Sequence, residues 1–207
     1  MRKTLTIILL LTAICQASHA RMPEGWWVSR FRFGMEWGYS QCFWLDRDYN
    51  IISSEGYRIY EKSRGLYLRP NGMILGRVGY PVSDRFEVAL LGGWMGTGQD
   101  NRLFPLLMRL NWYFRPEGFF AHVQGGTAWH TPASGGFSKM ALTASAGGGY
   151  RIGLGGGLDL DFIISARYLR DHPNIPNPEG PGNVPESNIR KNLAEYLSLD
   201  FSVAVCF

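Results

Sequence analysis

The sequence predicts an all-β chain, an eight-stranded antiparallel up-and-down transmembrane β-barrel after a cleaved signal peptide. Three observations carry that expectation. Apolar and polar residues alternate strictly over long runs, which is the period of a strand and not of a helix. The connections between the runs are short and long in turn. No stretch downstream of the N-terminal leader reaches the ~18 apolar residues in a row of a membrane helix, while the chain holds 26 Gly and 14% aromatics.

The first twenty residues stand apart from the fold. Arg2 and Lys3 open the chain, an apolar run follows from Leu5 to Ile14, and Ser18 and Ala20 supply small residues before a cut. This is the pattern of a secretory signal peptide over 1–20, leaving a barrel domain over 21–207. The bulky Ile14 before Cys15 argues against lipoprotein processing there. Losing Arg2 and Lys3 takes two positive charges from a formal net charge of +4. A balance that small excludes nucleic acid as an expected partner. Cys42 and Cys206 are expected at opposite ends of the barrel, too far apart to bond.

Each segment then justifies itself in order. The first, Trp27 to Tyr39, sets Phe31, Phe33, Met35, Trp37 and Tyr39 against Arg30, Arg32 and Glu36. The second, Ile74 to Tyr80, carries Arg77 on its polar face, and the third, Phe86 to Trp94, carries Glu87. The fourth places Phe104, Leu106, Met108, Leu110, Trp112 and Phe114 opposite Arg109 and Asn111. In the fifth, Phe119, Ala121, Val123 and Trp129 oppose Phe120, His122, Gln124 and Ala128. The sixth runs from Met140 to Ile152. The seventh, Leu158 to Tyr168, puts Asp159, Asp161, Ser165 and Arg167 on one face. The eighth alternates without a break from Leu197 to Phe207, with Asp200 on its polar side.

Connections near 81–85, 115–118 and 153–157 are short; those near Ser40–Gly72, Met95–Leu103, His130–Lys139 and Arg170–Ala194 are long. Outer-membrane barrels show that asymmetry, with short turns periplasmic and long loops extracellular, so both termini are expected in the periplasm. The last long loop, Asp171 to Glu186, is rich in Pro, Asn and Gly and reads as irregular and mobile.

Charge placement selects the lipid-facing side. Arg30, Arg32, Glu36, Arg77, Glu87, Arg109, Asp159, Asp161, Arg167 and Asp200 all lie opposite the apolar set. With His122 they are the expected interior polar network. Positive and negative members balance, so they can pair in a bore just wide enough for side chains. Trp and Tyr near the segment ends fit an interfacial girdle.

A leader over Met1–Ala20 and a final run Tyr196–Phe207 ending in Phe make the chain resemble the small bacterial outer-membrane barrels of the OmpA membrane domain and OmpX type. That resemblance implies a Gram-negative envelope protein, with outer-membrane lipid around it. It also implies recognition by the outer-membrane assembly machinery through the strand that ends at Phe207.

No catalytic, cofactor-binding or metal-ligating set emerges from the spacing of His, Cys, Asp and Glu. The leading expectation is a non-enzymatic barrel with a filled polar interior, whose outer loops meet an extracellular ligand. The largest loop, Tyr39–Leu68, carries Trp44, Tyr49, Tyr57, Tyr60 and Tyr67 among Arg and Lys, which suits adhesion or surface-polysaccharide contact. A lipid A-modifying hydrolase or acyltransferase is the alternative, with His130 as base near Thr131, Ser134 and Ser138. His122 is read as an interior residue, and His130 and His172 as ordinary surface residues. A narrow ion path through the charged bore is a further alternative.

Overall fold

A computed structural model describes residues 31–53, 55–97, 101–115, 117–130 and 140–207. The leader, Trp27, Arg30 and the Thr131–Lys139 connection lie outside the described residues. Eight strands form one closed antiparallel meander: β1 Arg32–Ile52, β2 Arg58–Pro81, β3 Phe86–Thr97, β4 Asn101–Tyr113, β5 Gly118–His130, β6 Met140–Gly155, β7 Leu158–Asp171 and β8 Ile189–Cys206. The expected fold class is the observed one.

Closure by β1 against β8 leaves no edge around the main wall, and it requires the strands to tilt. The stagger is legible in the register. Starting from Phe33, the pairs run through Val78, Leu90, Met108, Gly125, Ala144, Tyr168 and Leu197, and return to β1 at Trp44.

The two faces are inverted relative to a water-soluble barrel. Outward positions such as Met35, Trp37, Ile74, Leu90, Leu106, Met108, Leu110, Val123, Phe162, Ile164 and Phe201 are exposed, while Glu36, Arg77, Glu87, Arg109, Asp161, Arg167 and Asp200 are buried. An apolar belt so continuous far exceeds the patches that soluble monomers show to water. At the end with short turns the belt finishes in packed aromatics. Phe31 lies 5.4 Å from Tyr80, Phe86 5.7 Å from Trp112, and Phe119 4.9 Å from Tyr150.

The turn between β6 and β7 shows why glycine is required there: Gly155, Gly156 and Gly157 all have φ between 65° and 85°. That left-handed region admits glycine without a Cβ penalty.

Three sequence expectations need correction. Strands of 12 to 24 residues replace the shorter segments read from alternation. The extra length lies mainly in the span read as a long loop, Ser40 to Gly72. It is a β-hairpin whose pairing continues from Trp44↔Leu66 to Ile52↔Arg58, with only residues 53–57 as the turn. Its side chains become charged above the belt, so the alternation that marked the lower wall disappears while the backbone ladder continues. The segment from Asp171 to Glu186 is irregular, as expected, but it is packed. Ile175 and Val184 are buried against Ile51, and Val184 N–H donates to the Ile175 carbonyl at 2.9 Å.

The interior is also less polar than the sequence suggested. Leu75, Leu91, Leu103, Leu107, Leu169 and Met95 form an apolar cluster inside the barrel.

Candidate functional site

Two places combine chemistry with position: the charged bore, and the hairpin that rises beyond the belt. Alternation explains the first. An inward-facing charge on a strand has no water to meet, so it persists where a partner reaches it from another wall.

Nearest the short turns sits an ion cage. Arg151 on β6 grips Asp161 on β7 twice, Nε to Oδ1 at 2.6 Å and Nη2 to Oδ2 at 2.7 Å. Arg77 on β2 reaches across the bore to Asp161 at 3.3 Å and also pairs with Glu87. Tyr113 donates to Glu87 at 3.3 Å, and the Arg151 guanidinium lies 4.3 Å over the Tyr113 ring. Arg32 and Asp159, 3.4 Å apart, stand at the mouth, where both are partly exposed.

A second level crosses the middle. Arg109 on β4 donates to both oxygens of Glu36 on β1, at 2.7 and 3.1 Å. Gln124 accepts from Arg109 Nε at 2.8 Å, and Ser202 donates to Glu36 at 2.8 Å. Higher still, Arg167 on β7 donates to Ser40 at 2.6 Å, contacts Met95 and lies 3.4 Å from Asp200. Of the expected network residues, Glu36, Arg77, Glu87, Arg109, His122, Asp161, Arg167 and Asp200 are buried in the bore, whereas Arg32 and Asp159 stand partly exposed at its mouth; Arg30 is not among the described residues. His122 is buried beside them, and its ring nitrogens find no protein partner among the described residues.

Sequence reading missed two members. Arg151 falls in a glycine-rich run, yet its odd position on β6 is the inward one, so parity alone could have found it. His130 is not a surface residue: it is 4% exposed, and Nε2 lies 2.5 Å from Asp171 Oδ1. The two come from β5 and β7, with β6 between them, where Ala141 is fully buried. His172 is exposed, as expected, and its N–H donates to Asp171 at 2.7 Å.

The second place is the hairpin Trp44–Leu66. Its aromatics carry cations: Arg47 lies 4.8 Å over the Tyr49 ring, and Arg64 5.5 Å over Trp44. Arg64 pairs with Asp46 at 3.3 Å, and Lys191 on β8 donates to Asp48 at 2.6 Å. That bond holds the Lys191 ammonium above its ordinary pKa. Tyr60 and Leu66 are 58% and 73% exposed.

A closed meander with its apolar side outward and ion pairs inward defines a class: the membrane-spanning β-barrel, in the architecture of small outer-membrane proteins. Among solved structures the chain is similar to the outer membrane protein OprG from Pseudomonas aeruginosa, at 10% identity, TM-score 0.44 and coverage of 85% of this chain and 95% of that one. It is also similar to Neisserial surface protein A, at 13% identity, TM-score 0.38 and coverage of 84% and 96%. A third is Ail, the attachment invasion locus protein of Yersinia pestis, at 11% identity, TM-score 0.37 and coverage of 85% and 98%. No family model and no curated relative matches the chain.

Proposed function

We propose that the chain is an outer-membrane protein without an enzymatic role, whose plugged barrel holds the β1–β2 hairpin outside the cell as a contact surface. In this reading the short turns and both termini lie in the periplasm. The observation that carries it is the hairpin itself. From Trp44 to Leu66 it continues past the apolar belt as paired strands with exposed aromatic and basic side chains. A rigid ladder presents such groups at lower entropic cost than a free loop. The bore supports a scaffold role, because cross-lumen bonds occupy it at several levels.

The test excises residues 47–63 and joins Asp46 to Arg64 through an Asn-Gly turn. Heat-dependent gel mobility reports whether the barrel still folds. Reduced adherence of cells to host-matrix or glycan surfaces, with the barrel intact, supports the reading; unchanged adherence on such surfaces contradicts it.

The His130–Asp171 pair favours one second reading, a lipid A-modifying hydrolase. A carboxylate that orients a histidine is the arrangement that activates a nucleophile. The pair faces the bore, among Leu103, Ala128 and Leu169, and not the lipid side. Mass spectrometry of lipid A from cells with the native chain and with His130→Asn decides it. An acyl chain whose presence depends on His130 supports the enzyme, and identical spectra remove it.

A further inference from the structure

The hairpin strands differ in how many neighbours they have. β1 is paired on both sides through most of its length, with β2 and with β8. β2 is not. Its pairing with β3 covers Met73–Pro81 against Glu87–Met95, whereas its pairing with β1 extends to Arg58. β3 and β4 pair as far as Thr97↔Asn101, and the β2–β3 pairing goes no higher on β2 than Met73. Among the described residues, Arg58–Leu66 have no backbone partner other than β1.

The direction of the unused groups follows from the turn. Ser53 N–H donates to the Tyr57 carbonyl at 2.9 Å, so 53 and 57 face each other as a bonded pair. Bonded and non-bonded pairs alternate along an antiparallel ladder. Ile59, Glu61, Ser63 and Gly65 therefore direct their N–H and C=O groups to β1. Arg58, Tyr60, Lys62, Arg64 and Leu66 direct theirs to the empty side. The same five residues carry their side chains on the outer, exposed face.

We infer that the open edge of β2 over Arg58–Leu66 is a strand-addition site for an acidic, extended peptide segment of another protein. This rests on the surface-contact reading and specifies its mode. Backbone bonds supply affinity in strand addition, and alternate side chains supply specificity. Here the alternate side chains are Arg58, Tyr60, Lys62, Arg64 and Leu66. Asp46 and Asp48 on β1 are engaged by Arg64 and Lys191, and Arg58 and Lys62 form no ion pair among the described residues. A carboxylate opposite either cation gains a cross-strand partner, whereas a second copy of this edge meets like charge. A two-fold pairing centred on Lys62 sets lysine against lysine. One centred on Glu61 sets Arg58 against Arg64. Pro70, with no N–H to give, stands between that stretch and the β3-paired part of β2, which begins at Met73.

The experiment uses the full barrel in detergent and a fluorescent synthetic peptide alternating Glu with Val. Three comparisons accompany it: the same peptide with Lys for Glu, the acidic peptide N-methylated at alternate residues, and the Lys62→Pro barrel. Because the Lys62 N–H faces away from β1, proline there closes the edge without removing a β1–β2 bond. The acidic peptide is expected to bind, and the Lys peptide to fail. N-methylation and Lys62→Pro should each weaken binding by about tenfold or more. Equal affinity of the N-methylated peptide, or of the Lys62→Pro barrel at unchanged gel mobility, overturns the strand-addition mode, as does no binding of the acidic peptide. In cells, hairpin excision that changes adherence while Lys62→Pro does not leaves the contact role standing and removes the edge. Neither variant changing it removes both.

Discussion

Breaking the middle cross-lumen pair is the sharpest perturbation that the bore offers. In Glu36→Ala, Arg109 loses two charge-assisted hydrogen bonds, at 2.7 and 3.1 Å, and keeps Gln124 at 2.8 Å. Ser202 loses its acceptor as well. Charge-assisted bonds contribute about 1.5–3 kcal/mol each, and removing one partner of a buried pair typically costs about 3–5 kcal/mol. Arg109 is only 1% exposed, so no water reaches it from outside to soften that cost. The expected loss for Glu36→Ala is therefore about 3–5 kcal/mol. In the double variant Glu36→Leu with Arg109→Met, no charge is stranded, and the loss should fall to within about 1 kcal/mol of native. Urea unfolding of barrel refolded into lipid vesicles, followed by tryptophan fluorescence, measures both. A single variant costing under about 1 kcal/mol, or a double variant worse than the single, would show that the pair does not organise the bore.

Other expectations follow from the same geometry. Gly147→Ala places a Cβ 2.1 Å from the Ile164 carbonyl oxygen, whereas Gly72→Ala meets nothing nearer than 3.7 Å. The first should cost about 3 kcal/mol or prevent folding, and the second should leave the unfolding midpoint nearly unchanged. Met108→Arg, on the outer face, should cost about 2–4 kcal/mol in a bilayer, while Tyr60→Arg on the hairpin should leave the vesicle-unfolding midpoint unchanged. Asp171→Asn weakens its contact with His130 and should lower the free energy of unfolding by about 1–3 kcal/mol, without altering the barrel's gel mobility.

The wall was legible because lipid enforces a rule on every outward position. Leu106, Met108, Leu110 and Trp112 must be apolar, so β4 announces both its strand and its faces. Above the belt lipid no longer enforces an apolar outer face on the hairpin, and Asp46, Asp48, Lys62 and Arg64 replace the apolar row. The strand then reads as a loop. Inside the bore the rule is looser, since an inward residue needs only to fit or to pair. Leu107 beside Leu106 gives no clue to its side, and the apolar cluster around Leu75 and Leu169 went unseen. His130 and Asp171 are 41 residues apart and meet only across β6, a contact that period-two patterning does not encode. Arg151, by contrast, was legible by parity, since Tyr150 and Ile152 on either side of it belong to the apolar outer face.

The claim on which the rest depends is that the apolar belt meets lipid and the charged face meets the bore. A nitroxide scan along β4 tests it, with Cys42 and Cys206 replaced and single cysteines placed in turn from Leu106 to Asn111. In vesicles, labels at 106, 108 and 110 should be relaxed strongly by oxygen and weakly by a water-soluble nickel chelate, and those at 107, 109 and 111 by neither. Relaxation by the nickel chelate at 106, 108 and 110 would mean that the apolar face meets water, and would contradict the account.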